Sequence, residues 1–445
     1  MVVLDFFIVN VALPSIQSGL HASDSAIEWV VAGYALTSAI FVITAGRLGD
    51  RLGHRRMFSL GLALFTLASA GCGAAGTAGE LVVARVIQGV AAALLTPNVL
   101  SIIGVLYTDR DRLRALSAYG TIMGFAAISG QLIGGGLIAL DPAGLGWRAC
   151  FLINVPVGAA ALLLAPRVIP ESGRRTPSRL DLVGTLLATG ALTAIVLPLV
   201  EGRQDGWPAW TWGSLLAGPV LLGAFVLHQR WVAREGGTPL LDLGLFRARS
   251  FSAGLLTQLS FWCGQASFFV VLALYLQVGR GLRPLNSGLV FTVLAGAYVG
   301  TSSLAPSLSA RYGRRLIAGG ALILATGHVL LLSAVADVGV AGSLAALAPG
   351  LLLVGAGMGL VVAPLAGTIL HTLEADQAGA ASGMLTTMQN VGNALGVAVT
   401  GVIFFGALRG GYAHAFELAA AELAVLLLVV AALTRLLPSK RASGG

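Results

Sequence analysis

The sequence predicts an all-α protein whose helices cross a membrane, and three observations predict it. Hydrophobic residues fill 56% of the 445 positions and charged residues only 10%, against roughly 25% charged in a soluble chain. Mean hydropathy is +0.88, and glycine, more frequent in membrane helices than in soluble ones, occurs 60 times. The apolar residues are gathered into runs of about 20, the length that spans ~30 Å of hydrocarbon. A net charge of +8 and a pI of about 10.0 would point to nucleic acid in a soluble chain. Here the bases lie between apolar runs, so the partner is the lipid bilayer and nucleic acid is excluded.

Taken in order, the runs are 1–16, 26–48, 57–76, 80–106, 114–140, 149–166, 181–200, 211–232, 251–277, 286–308, 316–336, 344–370, 379–408 and 416–437, fourteen in all. Each is bounded by charged or Gly/Pro-rich breaks. The first is short, about 24 Å as a helix, and the expectation is that its first turns lie upstream. Asp5 interrupts it and polytopic sequence follows, so no cleavable signal peptide is expected. Cys72, Cys150 and Cys263 are far apart with no paired spacing, which argues against a disulfide framework or a zinc site. No metal site is expected.

Arginines orient the runs. Of 27 basic residues, 21 fall in loops 2–3, 4–5, 6–7, 8–9, 10–11 and the C-terminal tail, and five (Arg148, Arg203, Arg280, Arg283, Arg409) in the alternate loops. Arg85 falls inside an apolar run. Positive loops stay in the cytoplasm, so both termini are expected there. An internal echo sets the plan. GRLGDRLGHRR (46–56) follows the second run, and PSLSARYGRR (306–315) repeats its R-x-G-x-R core as Arg311, Gly313 and Arg315. Duplicated transporters show such parallel halves. The predicted organisation is an N-terminal six-helix bundle (1–166), a central two-helix insertion with cytoplasmic linkers (167–250), a C-terminal six-helix bundle (251–437) and a cytoplasmic tail (438–445).

Four segments carry a family likeness. GRLGDRLGHRR resembles the cytoplasmic loop signature of the major facilitator superfamily, and Arg85 in LVVARVIQGVAAA (81–93) resembles its fourth-helix arginine motif. LDFFIVNVALP (4–14) resembles the first-helix motif of the fourteen-helix drug:proton antiporters within it, and WRACFLINVPVG (147–158) is also typical of that group. The resemblance implies the major facilitator fold: two six-helix bundles plus a central helix pair. It implies a bacterial cytoplasmic-membrane exporter of amphiphilic small molecules or drugs by alternating access, with no cofactor, a proton gradient as energy source, and a monomeric state.

Each motif has its own physics. Asp50 stands among Arg47, Arg51, Arg55 and Arg56 in a compact turn framed by Gly46 and Gly53. An acid among bases forms charge-assisted bonds and docks on a helix N-terminus, which makes a cytoplasmic gate latch; topology alone would also place the arginines there. The second copy has Ala310 where the first has Asp50. Asp5 and Arg85 are the expensive residues, because a charge at the bilayer centre costs at least ~2.5–3.5 kcal/mol. Arg85 stays charged, while desolvation and a nearby cation pull Asp5 in opposite directions, which suits reversible protonation. The bland reading of Asp5 is an interfacial residue at the start of a short helix.

The fifth run carries Gly120, Gly124, Gly130, Gly134 and Gly135, and small-xxx-small spacing lets helices approach closely. Gln131 stands where the antiporters carry a proline, and it is expected to hydrogen-bond across the interface or to a ligand. Gln258, Trp262, Gln265 and Phe269 share one face of the ninth run, and Thr386, Gln389, Asn390 and Asn393 one face of the thirteenth. Such stripes either join helices or line a wet path; beside Trp and Phe they read as a pocket for a bulky, partly apolar solute. Asn10, Tyr34 and Gln88 complete it from the first half. His328 reads as packed, and Glu417 and Glu422 as acids near the start of the last helix, where the helix dipole favours them.

No phosphate-binding loop, zinc-protease motif or nucleophile elbow occurs, so an enzyme is not expected. A narrow-specificity metabolite exporter or proton symporter of the same fold stays open. So does, from another class, a non-transporting membrane sensor, against which the six-two-six plan argues.

Overall fold

The computed structural model describes residues 1–107, 109–170, 181–202, 206–237, 239–241, 243–370 and 378–437. Among them are fifteen α-helices and no strand. Thirteen spans are long and apolar enough to cross a bilayer. The remaining expected run, 114–140, lies in the helix Asp109–Leu140, of which Ser129–Leu140 is a described apolar stretch. The tail 438–445 and the side chains at Gly120 and Gly124 lie outside the described residues.

The chain folds into two compact units, Met1–Asp242 and Leu243–Gly445. The first contains α1 (Val2–Leu20), α2 (Asp24–Leu52), α3 (His54–Ala74), α4 (Ala78–Leu106), α5 (Asp109–Leu140), α6 (Ala149–Leu152), α7 (Asn154–Val168), α8 (Leu182–Glu201) and α9 (Ala209–Arg234). Here α2 and α3 pack on α4, α1 on α5, α3 on α7, and α8 on both α9 and α2. The second contains α10 (Arg249–Leu274), α11 (Pro284–Tyr312), α12 (Arg314–Val338), α13 (Ala348–Leu370), α14 (Ala378–Ala407) and α15 (Tyr412–Leu433). It repeats the scheme: α11 and α12 pack on α13, α10 on α14, and α12 on α15. Leu67, Leu216 and Val220 are among many large apolar side chains left on outer faces. Hydrocarbon satisfies such faces and water does not.

Two local expectations are corrected. The first helix does not stop at residue 16: α1 runs to Leu20, where His21 turns left-handed (φ 48°) and its N–H caps the Gln17 carbonyl. Residues 46–56 do not form a loop: α2 continues to Leu52, α3 begins at His54, and the break is Gly53 alone. Its φ of 101° lies where a Cβ is penalised, so a glycine is needed there. The echo repeats this, with Gly313 (φ 52°) standing alone between α11 and α12.

The duplication runs deeper than the loop. Thr37 Oγ1 on α2 donates to the Val86 carbonyl of α4 at 3.0 Å, and Thr301 Oγ1 on α11 donates to the Ala356 carbonyl of α13 at 3.0 Å. A β-carbon on Gly89 would collide with Thr37, and one on Gly359 with Thr301. Likewise α5 closes on α1 through Gly130 and Gly134, whose β-carbons would meet Phe7 at 2.9 Å and Val11 at 2.6 Å. In the second unit α14 closes on α10 through Gly392 and Gly396, against the backbones of Leu259 and Cys263. Gly135 is also buried.

Candidate functional site

Among the described residues of the first unit is a fully buried ion pair. Asp5, in the first turn of α1, and Arg85, on α4, are both 0% exposed, with Arg85 Nη1 2.6 Å from Asp5 Oδ2. Asp5 is therefore enclosed by protein and does not reach the surface of the unit. Its other oxygen, Oδ1, accepts from Gln88 Nε2 at 2.9 Å and from Asn154 Nδ2 at 2.8 Å. Gln88 and Asn154 both donate in turn to Ser69 Oγ on α3, at 2.7 and 3.1 Å. Arg85 Nε donates to the Val30 carbonyl of α2 at 2.9 Å, and Nη1 also donates to Gln88 Oε1 at 2.7 Å. The guanidinium lies 4.2 Å from the Tyr34 ring centroid. Taking both charges out of water is costly and is offset only when geometry and further hydrogen bonds are good. Here three donors converge on the carboxylate.

The second unit holds no such pair at the matching place. The Val30 carbonyl that anchors Arg85 has its counterpart in Leu294, and there the position of Arg85 is taken by Gly355, pressed against the Leu294 carbonyl. The fixed charge belongs to one half of the duplication.

Elsewhere in the first unit and on the pair itself, several polar groups are buried without a protein partner: both amide atoms of Asn10, both of Gln131, Tyr34 Oη and Arg85 Nη2. Each unmade bond in such a set costs about 1–3 kcal/mol. Gln88, expected among the cavity residues, is instead consumed by the ion-pair network. In the second unit Gln258, Gln265, Phe269 and Asn393 are buried and Asn393 Oδ1 has no partner, while Trp262, Gln389 and Asn390 are half-buried. Phe269 stacks on Phe291 at 5.7 Å. Gln131 and Asn393 each directly follow the first glycine of a close-packing pair, so the duplication places an amide at the same point of each unit.

At the α2–α3 junction Asp50 is 53% exposed and pairs with His54 Nε2 at 3.4 Å. His54 Nδ1 in turn meets Asn98 Oδ1 of α4 at 2.8 Å. Gly46 is half-buried, Arg51 and Arg56 are exposed, and Arg55 donates to the Ile169 carbonyl at 3.2 Å. Arg47 donates to the Pro239 carbonyl.

Sequence reasoning missed several partners. Asn154 and Ser69 complete the Asp5 shell; Asn154 sits inside WRACFLINVPVG, the one signal available. Trp29 Nε1 donates to Glu201 Oε1 at 2.7 Å, and Thr44 and Thr185 share a hydrogen bond at 3.1 Å, so α8 is fastened to α2 at two levels. Asp181 caps α8 through the Gly184 N–H and binds His228 Nε2 at 2.8 Å and Gln229 Nε2 at 2.6 Å on α9. Burial opposes its ionisation, yet those bonds hold its carboxyl below the usual carboxylate range. His328 is packed, with Nδ1 2.9 Å from the Leu324 carbonyl and its ring on Phe268. Glu422, expected near the start of the last helix, lies halfway along α15.

Helices long enough to span a bilayer, packed in a duplicated scheme, define a multi-pass membrane protein, and the family and relatives it matches are transporters, not enzymes. The chain belongs to the Major Facilitator Superfamily, whose model matches residues 1–397. It is 38% identical to a probable actinorhodin transporter of Streptomyces coelicolor, over 92% of this chain and 71% of that protein. It is 34% identical to a tetracenomycin C resistance and export protein of Streptomyces glaucescens, over 91% and 73%. A Mycobacterium tuberculosis multidrug resistance protein, Stp, is 32% identical over 91% and 73%. Among solved structures, a POT family transporter in complex with 5-aminolevulinic acid shares the fold with a TM-score of 0.67 at 14% identity, covering 97% of this chain and 91% of that one.

Proposed function

We propose that this chain exports amphiphilic small molecules in exchange for protons, by alternating access, across a bacterial cytoplasmic membrane with both termini inside. The observation that carries the reading is the buried Asp5–Arg85 pair, in a unit that also buries the unpartnered amides of Asn10 and Gln131. A group that exchanges protons must change charge inside the membrane while a fixed charge beside it does not. Asp5 has that chemistry and Arg85 is the fixed charge. Protonating Asp5 removes its attraction for Arg85, and Arg85 keeps the Val30 carbonyl, the Gln88 carbonyl and the Tyr34 face. Two arrangements of one network follow, differing by a proton. The amides offer both donors and acceptors, which suits a solute with neutral polar edges and an apolar body. Relatives named for export of, or resistance to, single antibiotics favour a narrow substrate range as a second reading. In this scheme the gradient is the energy source, no cofactor takes part, and the unit of transport is the monomer.

The test is gradient-driven uptake into inside-out proteoliposomes with a pH-sensitive dye and a panel of cationic and neutral amphiphiles. Proton flux triggered by substrate, lowered in Asp5→Asn, supports the reading. Transport by wild-type protein without proton flux would defeat it, and a response to one chemical class alone selects the narrow-range version.

A further inference from the structure

The second unit contains a membrane-depth acid of its own. Glu422 is the eleventh of the 22 residues of α15, a helix within the span Tyr412–Leu436. It shares a strip of α15 with Leu418, Val425 and Val429, all three exposed large apolar residues. The surface around it is therefore hydrocarbon-like. Its carboxyl turns off this strip toward α14, where Thr400 Oγ1, itself 1% exposed, donates to Glu422 Oε2 at 3.0 Å.

Among the described residues, what faces it from neighbouring elements contains no cation. α14 carries no titratable residue along its length, and on α10 the group near Glu422 is the Cys263 thiol. On α12 the histidine, His328, is turned to its own helix's Leu324 carbonyl and to Phe268. Arg249 on α10, Arg314, Arg315 and Asp337 on α12, and Tyr412, His414 and Glu417 on α15 stand toward the ends of their helices. So do Arg280, Arg409 and Arg435 in the turns that flank α10 and α15. Asp5 has Arg85; Glu422 has a single neutral hydroxyl.

An ionised carboxylate at this depth, held by one hydroxyl, is strongly disfavoured. The carboxyl resolves this by taking a proton: Glu422–COO⁻ plus H⁺ gives Glu422–COOH, with Thr400 still donating to the carbonyl oxygen. We propose that Glu422, seated on Thr400, is a second proton-exchange site of this transporter, carried by the unit that lacks the arginine. Two acids then divide the work. Asp5 exchanges its proton against a fixed charge, and Glu422 against hydration as its surroundings alternate. A purely structural carboxyl would instead remain protonated at all times and serve only to tie α15 to α14.

The test has two arms on full-length protein, and the first does not depend on the proton-coupled reading above. Dicyclohexylcarbodiimide, a membrane-soluble reagent for protonated carboxyls, is applied to reconstituted protein across pH 5 to 9, and the peptide bearing Glu422 is read by mass spectrometry. The proposal expects modification of Glu422 that falls at least fivefold as pH rises and survives in Asp5→Asn. Absence of modification, or modification indifferent to pH, overturns it. In the second arm, protons moved per substrate are counted for wild type, Glu422→Gln and Glu422→Asp. Gln keeps the acceptor for Thr400, so folding is retained. The expected result is one proton fewer per substrate in Glu422→Gln and the full count in Glu422→Asp. An unchanged count in Glu422→Gln, in a protein that does couple protons, overturns the site alone; absence of proton flux in wild type instead defeats the coupling reading and leaves the first arm to judge Glu422.

Discussion

Replacing Asp5 by Asn keeps the size and one oxygen of the side chain but removes its charge. In the structure that oxygen pair accepts from Arg85, Gln88 and Asn154. An amide nitrogen at Oδ2 would point hydrogens at the guanidinium, and one at Oδ1 would oppose two amide donors. Arg85, wholly buried, would then carry its charge with the Val30 and Gln88 carbonyl groups and the Tyr34 face. Breaking a buried ion pair from one side costs about 3–5 kcal/mol, roughly two to nearly four powers of ten in the folding equilibrium. Because Asp5 and Arg85 share this cost, the double variant Asp5→Asn/Arg85→Gln is expected to be less destabilised than the sum of the single variants, by about 0.5–3 kcal/mol. The assay is thermal unfolding of detergent-solubilised protein followed by tryptophan fluorescence, on all four corners of the cycle. A buried pair is little screened by salt, so the coupling should hold between low and high ionic strength. Strict additivity, or an Asp5→Asn protein as stable as wild type, would refute the reading that these two charges hold one another. Transport of the single variant is measured well below its unfolding midpoint, so loss of drive is separated from loss of fold.

Other expectations follow from named contacts. A β-carbon on Gly396 would collide with the Cys263 carbonyl, whereas one on Gly406 would meet nothing within 4 Å; Gly396→Ala should therefore lose about 1–3 kcal/mol of stability or more, with Gly406→Ala near wild type in the same melting assay. Asp181→Asn should cost roughly 1–2 kcal/mol through its charged hydrogen bonds. Since the folded state holds the Asp181 carboxyl below its ordinary value, its contribution is complete above about pH 4 and is lost as pH falls through the folded value. The melting gap between wild type and Asp181→Asn should close as pH falls below about 4, and a gap that persists undiminished there would reverse the assignment. Asp50→Asn should lower substrate transport severalfold at unchanged membrane abundance, because the α2–α3 junction keeps its glycine break and loses its acid; transport at the wild-type rate would leave the arginines to topology alone.

How much could be read without the fold depended on the range of the interaction. Apolar runs and arginine-bearing loops act through local chemistry, hydrocarbon against water and charge against the membrane, so the chain of letters by itself determined that this is a helical membrane protein, and four motifs carried its resemblance to the Major Facilitator Superfamily. Asp5 and Arg85 stood out in it for the same reason: a charge inside an apolar run is costly wherever it ends up. The tertiary structure decided who answers each charge. Nothing in spacing tells that Asn154 and Ser69 close the shell of Asp5, that Gln88 is spent there and not in a cavity, or that Trp29 reaches Glu201 across 172 positions. Helix extent was likewise decided by three-dimensional context. An apolar count ends α1 at residue 16 and cannot see His21 turning left-handed to cap it, and a cluster of Gly and Arg reads as a loop although backbone geometry concentrates the whole break at Gly53. Glu422 shows the difference at one residue: sequence reads its neighbours along the chain, while the depth that makes a carboxylate costly is set by where the helix begins and what packs around it.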